Sequence, residues 1–268
     1  MRTNNFMRPL LRAAALLATL MTGQANAGAL PDVQNVMQLE PEGYVPLNKI
    51  TTPLLYPVHT GKPYNTKFLL SIGRENLPPD LRKLQPDLED INEFRVHALL
   101  QQFEPYLNGR MEALRNAKGY LVPLQAKLGE YDFQRRRFPL SLNMMVTKPK
   151  SPDSYHCAGA YDEFRHTRLS ACVSATNWNN QNKAFQFLAI DDMQQAEHIK
   201  RQLLNKQAGF YFLMQNDGRF RVVDNAKMKY GGFMEPTLAS GVLPARVIGL
   251  LLVDHTNSAI ILAGEMTP

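Results

Sequence analysis

The stretch AFQFLAIDDMQQAEHIKRQLLNKQAGFYFLMQ, Ala184 to Gln215, decides how this chain is read. Its first seven residues, Ala184–Ile190, are an apolar run that reads as a strand, and Asp191-Asp192 follow as a helix start. Met193, Ala196, Ile199 and Leu203 then recur at three- and four-residue spacing, so one stripe of a helix to about Lys206 faces a core. Gly209 reads as its stop and Phe210–Gln215 as a second strand. Asn216-Asp217-Gly218 predicts a hairpin turn into Arg219–Asp224. A long loop, Asn225 to Leu243, carries Gly231-Gly232 with Met228, Tyr230, Phe233 and Met234, and reads as packed back onto the sheet. Val247–Val253 and Ala259–Ala263 are apolar at successive positions, which predicts central strands covered on both faces. Asp254-His255-Thr256-Asn257 is the turn between them.

Upstream of that unit the period is two after Gly119. Tyr120, Val122, Leu124, Ala126 and Leu128 alternate, Gly129-Glu130 turns the chain, and Tyr131–Val146 reads as a long strand. Before Gly119 the signal is helical. Leu88, Ile91, Phe94 or Arg95, Ala98, Leu99 and Phe103 form a stripe, with Asp87, Glu89 and Asp90 in the first turn. Pro105 should break this helix or open a second one to Ala117. Asn76 to Leu84 suggests a brief capped helix. Tyr44–Gly73, with Pro46, Pro53, Pro57 and Pro63, reads as irregular apart from a short strand at Lys67–Ile72. The fold class is therefore α+β: a mainly antiparallel sheet over residues 120–264, one helix packed on it, and an N-terminal helical pair. A polar, proline-containing break at Thr147–Asp153 separates residues 44–150, the helical pair with a first hairpin, from the strand-rich 151–268. The two are expected to share one sheet and one domain.

The N-terminus carries Arg2, Arg8 and Arg12 with no acidic residue, then an apolar run from Ala13 to Met21 ending at Ala25-Asn26-Ala27. That is the build of a cleavable export signal, 1–27, and its apolar core is about half the ~20 residues a bilayer span needs. Cleavage after Ala27 leaves 241 of 268 residues and 27 basic against 24 acidic side chains, so the charge falls from +6 to +3. A surplus of that size makes no case for nucleic acid. No later apolar run suggests a transmembrane segment, and Gly28–Gly43 reads as a tether or loose arm. With few cysteines, a periplasm is the compartment this leader implies.

Cys157 and Cys172 are the two cysteines. They flank two strand-like segments, Tyr155–Tyr161 and Arg168–Thr176. If 161 pairs with 168, then 157 pairs with 172, directly across the ladder. Cβ atoms there lie about 4.5–5.5 Å apart, a little wide for a disulfide unless the strands tighten. A disulfide is the expectation in an oxidising compartment, worth about 3 kcal/mol for a loop of this length. A cysteine nucleophile served by His156 or His166 has no supporting motif.

Two further groups carry chemistry. His156, Asp162, Glu163 and His166 are close in sequence, and Glu163-x-x-His166 has a spacing seen in some metal sites. In a predicted turn they read as solvated residues, so no metal and no cofactor is expected. Arg135, Arg136 and Arg137 could contact an anionic partner. On a strand they would alternate faces and serve as a charged edge instead. No Gly-x-Ser-x-Gly, His-Glu-x-x-His, phosphate-binding glycine loop or Gly-x-Gly-x-x-Gly occurs. The resulting expectation is an exported, non-enzymatic protein that binds an envelope protein or glycan. The alternative is an envelope hydrolase, acting on peptidoglycan or a peptide, with acid/base residues around 155–166. An assembly factor would instead show a large exposed apolar patch.

Overall fold

A computed structural model of the chain describes residues 30–89, 92–144, 155–162, 167–178, 185–224 and 237–265. In chain order the strands are β1 (Tyr44–Pro46), β2 (Gly119–Pro123), β3 (Gln125–Leu128), β4 (Arg137–Asn143), β5 (Tyr155–Asp162), β6 (Thr167–Ala175), β7 (Phe187–Ala189), β8 (Ala208–Asn216), β9 (Arg221–Asp224), β10 (Thr237–Asp254) and β11 (Ile260–Glu265). The α-helices are α1 (Thr51–Thr60), α2 (Thr66–Ile72), α3 (Pro79–Leu84), α4 (Glu93–Arg115) and α5 (Met193–Leu204). The fold is α+β, with a large, mostly antiparallel sheet.

Eighteen-residue β10 is the spine of that sheet, whose main path runs β1-β2-β8-β10-β6-β5. Ala245 pairs with Asn216 of β8 on one edge and Ala175 of β6 on the other. β9 pairs with Ala239–Val242 on the β8 edge, and β11 with Gly249–Val253 on the β6 edge. β8 and β9 thus lie end to end along β10 and do not form the expected hairpin; the Asp217 amide donates to the Pro244 carbonyl, keeping the chain on the same edge. A register shift between Val247 and Gly249 inverts the parity of β10. Leu243, Ala245 and Val247 before it share a core with Leu250 and Leu252 after it, while Ile248, Leu251 and Val253 point into a second core. Val247–Val253 is covered on both faces, as its composition predicts. β11, by contrast, is an edge strand of half-buried and exposed residues, because β6 ends before reaching it. β10 also begins at Thr237, inside the segment expected to be a loop; residues 225–236 lie outside the described residues, as do 145–154 around the predicted break.

The first face is covered by α1, which packs against β5, β6 and α4. Seven consecutive residues of α1, Thr51 to Pro57, are buried, so this helix is enclosed all round. Its prolines do not prevent it. Pro53 sits in the first turn, where an N–H has no partner to lose, and Pro57 lies near the C-terminal end, closed by Gly61 in the left-handed region. Asn48 and Thr51 cap each other: the Asn48 side chain accepts from the Thr51 amide, and the Thr51 hydroxyl accepts from the Asn48 amide. Lys67–Ile72 is helical, not a strand, and buries Leu69 and Leu70. α4 starts after the Asn92 cap, later than the acidic residues suggested, and runs through Pro105 as one helix. Pro105 is exposed, so the Gln101 carbonyl it leaves unbonded faces the solvent side, while Phe103 and Leu107 hold the helix to the core.

The second face is covered by the segment read as a tether. Leu30, Val33, Val36 and buried Leu39 pack with Leu121, Leu213, Ile248, Leu251 and Val253. The Val36 amide donates to the Ser258 carbonyl at 3.0 Å, and the Ile260 amide to the Gln34 carbonyl at 2.8 Å. Its apolar residues lack a regular period because they dock one at a time as an irregular strap. A small second sheet, β3-β4-β7, adjoins the first.

Leu39 is 1% exposed. Leu39→Ala should lower unfolding free energy by about 2–5 kcal/mol in a urea titration; a change near zero would mean that the strap is not part of the core.

Candidate functional site

Arg135 and Arg136 lie on a turn, and Arg137 opens a strand. The Asp132 carboxylate accepts from the Gln134 and Arg135 amides at 3.0 Å each, an Asx turn, and the Asp132 and Arg137 backbones close it. Arg136 takes φ 49°, the left-handed region, which costs a non-glycine residue about 1 kcal/mol. Its carbonyl accepts from the Ile190 amide at 2.9 Å, and the Tyr131 hydroxyl donates to the Ile190 carbonyl at 2.6 Å, so the turn is tied to the entry of α5. Arg137 begins β4, a middle strand of the small sheet, with its guanidinium 3.7 Å from the Phe187 ring centroid. Phe133, Gln134, Arg135 and Arg136 are consecutive exposed residues, Phe133 at 73%. In place of the expected charged strand edge there is an exposed turn that carries Arg135 and Arg136 together with Phe133.

His156 stands apart from the predicted turn. His156 lies on β5 opposite Val173 and is 4% exposed, so it is a core residue and not a solvated one. Its Nε2 is 3.4 Å from the Thr52 hydroxyl of α1, and its Nδ1 has no hydrogen-bond partner among the described residues. Desolvation lowers its pKa to about 4, which keeps the ring neutral. Asp162 ends the same strand six positions on, roughly 20 Å away at the usual rise per residue. Glu163 and His166 lie outside the described residues. Among the described residues no group of three or more His, Cys, Asp or Glu is placed to hold a metal ion. Cys157 pairs in register with Cys172, as the 161–168 pairing implies.

Two clusters have no local signal in the sequence. His255 sits with Nδ1 3.1 Å from the Lys206 carbonyl and Nε2 3.1 Å from the Tyr211 hydroxyl, a geometry in which Nδ1 donates and Nε2 accepts. Gly209 is small because this ring lies over it, 2.8 Å from where a Cβ would stand. The helix it was expected to stop ends earlier, at Leu204, with Lys206 in the left-handed region. Asp254 accepts from the Thr256 hydroxyl, the Thr256 amide and the Gln202 side chain, and these bonds hold its carboxyl below the usual range. The network joins two turns across the end of β10. Elsewhere Phe220 stacks on His59 at 4.9 Å and meets Tyr56 edge-on. Phe220 lies over Gly241, where a Cβ would fall 2.0 Å from its ring. Each is a packing arrangement between residues dozens of positions apart.

No protein-family model, curated protein or solved structure matches the chain.

Two outcomes follow from this geometry. His156 is protonated in the unfolded chain below pH 6.5 but in the folded one only near pH 4, so stability should fall as pH drops through that window, by roughly 3 kcal/mol. Urea titrations at several pH values should show that slope and its loss in His156→Gln; equal slopes would contradict the burial of His156. Arg136→Asn should raise stability by about 0.5–1 kcal/mol by relieving the left-handed backbone, read from the same titration.

Proposed function

We infer that the protein is exported to the periplasm, loses residues 1–27, and there binds a partner protein or an envelope component without catalysing a reaction. The observation carrying this reading is the leader: three arginines, an apolar run too short to span a bilayer, and Ala25-Asn26-Ala27. Two structural facts support it. Cys157 and Cys172 face each other in register, the placement from which an oxidising compartment would make a disulfide. No helix among the described residues is long and apolar enough to cross a membrane.

The binding reading is preferred to the envelope hydrolase on one specific observation. A general base needs reach to a reacting proton and a pKa near working pH. His156 is enclosed between α1 and β5, is biased against protonation, and sits far along the strand from Asp162. His156 is thereby unsuited to that role, and Glu163 and His166, the other acid/base candidates, lie outside the described residues.

Expression with the native leader, followed by fractionation and N-terminal sequencing, should place the protein in the periplasmic fraction beginning at Gly28. The denatured, unreduced product should contain no free thiol. A soluble cytosolic product still carrying Met1–Ala27 would overturn the compartment, and two free thiols would overturn the disulfide.

A further inference from the structure

We propose that the Asp132–Arg137 turn is a membrane-surface contact that inserts Phe133 among anionic phospholipid headgroups while Arg135 and Arg136 engage their phosphates. This narrows the envelope-binding reading to one component; it rests on that reading for the protein's location, not for the chemistry of the contact.

The inference starts from what the turn spends backbone energy to display. A left-handed position is the natural place for glycine or asparagine, yet Arg136 occupies it and is exposed. Phe133, 73% exposed, touches another ring only edge-on, at Tyr131. An exposed aromatic side chain two and three residues from exposed arginines is the composition found where a protein meets the headgroup region of a bilayer. Aromatic rings sit at the interface, and cations gain from the negative surface potential.

Acidic groups lie close by, and their placement matters. The Asp132 carboxylate accepts from the Gln134 and Arg135 amides and pairs with the Arg135 guanidinium at 3.8 Å, a long, exposed contact that a phosphate can replace; its side chain is 33% exposed against 70% for Arg135. Asp192 is committed to the amides at the start of α5; exposed Asp191 follows Ile190, whose amide bonds the Arg136 carbonyl, and exposed Glu130 lies just before the turn in sequence. The outermost charges of the turn itself are cationic. Arg137 and Phe187 stack at the base of the turn, and Phe187 is partly exposed. Two exposed arginines and an exposed ring therefore share one short turn. A stable protein interface needs about 800 Å² from each partner with a dry apolar centre, whereas a bilayer surface accepts a few well-placed side chains. That difference favours lipid over an acidic protein.

The test uses the leader-processed export product with phosphatidylcholine vesicles and with vesicles enriched in phosphatidylglycerol. Co-flotation should occur with the anionic vesicles alone and weaken steeply with added salt. At about fivefold per arginine, the double change Arg135→Ser and Arg136→Ser should lower partition about 25-fold. Phe133→Ser should lower it about tenfold, with melting behaviour unchanged in both variants. In Phe133→Trp, tryptophan emission should shift to the blue on vesicle binding, since Trp178, the chain's own tryptophan, is already buried. Absence of anionic-vesicle binding, or binding that both variants leave intact, overturns the proposal. So does binding of polyglutamate through the same residues without any vesicle binding. A retained leader would defeat the export reading instead, a result that N-terminal sequencing separates from the vesicle outcome.

Discussion

Burial of both faces of β10 is the constraint on which the rest of the structure depends. Between Val247 and Val253 every residue but Gly249 carries an apolar side chain, and those side chains alternate into two cores. Two separate coverings are therefore required. One is a helical layer in which α1 lies on the sheet and α4 on α1; the other is the strap of residues 30–39 with the flanking turn. At roughly 25 cal/mol per Å² of apolar surface, neither face could be left open without losing several kcal/mol. The bulge at Val247–Gly249 keeps the long strand compatible with both coverings, since without it the large residues of one half would point the wrong way.

The same constraint explains where polar groups and strain collect. α1 is enclosed, so Thr51 and Thr52 need partners inside the protein: Thr51 donates to the Pro46 carbonyl, and Thr52 lies against His156. Asn177 serves the spine in a similar way, bonding both the amide and the carbonyl of Val247 through its side chain. Non-glycine residues with positive φ include Arg136, Lys206 and Ser258, all in the short connections that must return the chain to the sheet. Lys206 and Ser258 are fastened by neighbouring turns; the Lys206 carbonyl accepts from His255, and the Ser258 carbonyl from the strap. The Arg136 carbonyl likewise accepts from the Ile190 amide, and its side chain is left to solvent.

The candidate residues divide along the same line. In the sequence the three arginines were visible, but their arrangement was not, because an Asx turn and a strand can both accommodate the run from Asp132 to Arg137. Phe133 carries no local signal of exposure in the sequence. His156 went the opposite way. A histidine near acidic residues reads as solvated chemistry, and only the packing of α1 across β5 makes it a neutral core residue. The cysteine register was legible because a hairpin couples its two strands through one turn, so pairing one position determines all the others.

Local rules in the sequence were sufficient for the α+β class, the capped helix α5, the β5–β6 pairing and the doubly buried stretch of β10. Each depends on periodicity, a capping side chain or hairpin arithmetic within a few residues. Only the tertiary structure decided that Thr51–Thr60 and Thr66–Ile72 are helices, that residues 30–39 form part of the core, and that β9 continues β8 along β10. It alone placed Arg136 in a strained turn and His156 in the interior. These outcomes turn on which distant surface is available to cover an apolar face, and burial against such a surface outweighs propensities of a few tenths of a kcal/mol per residue.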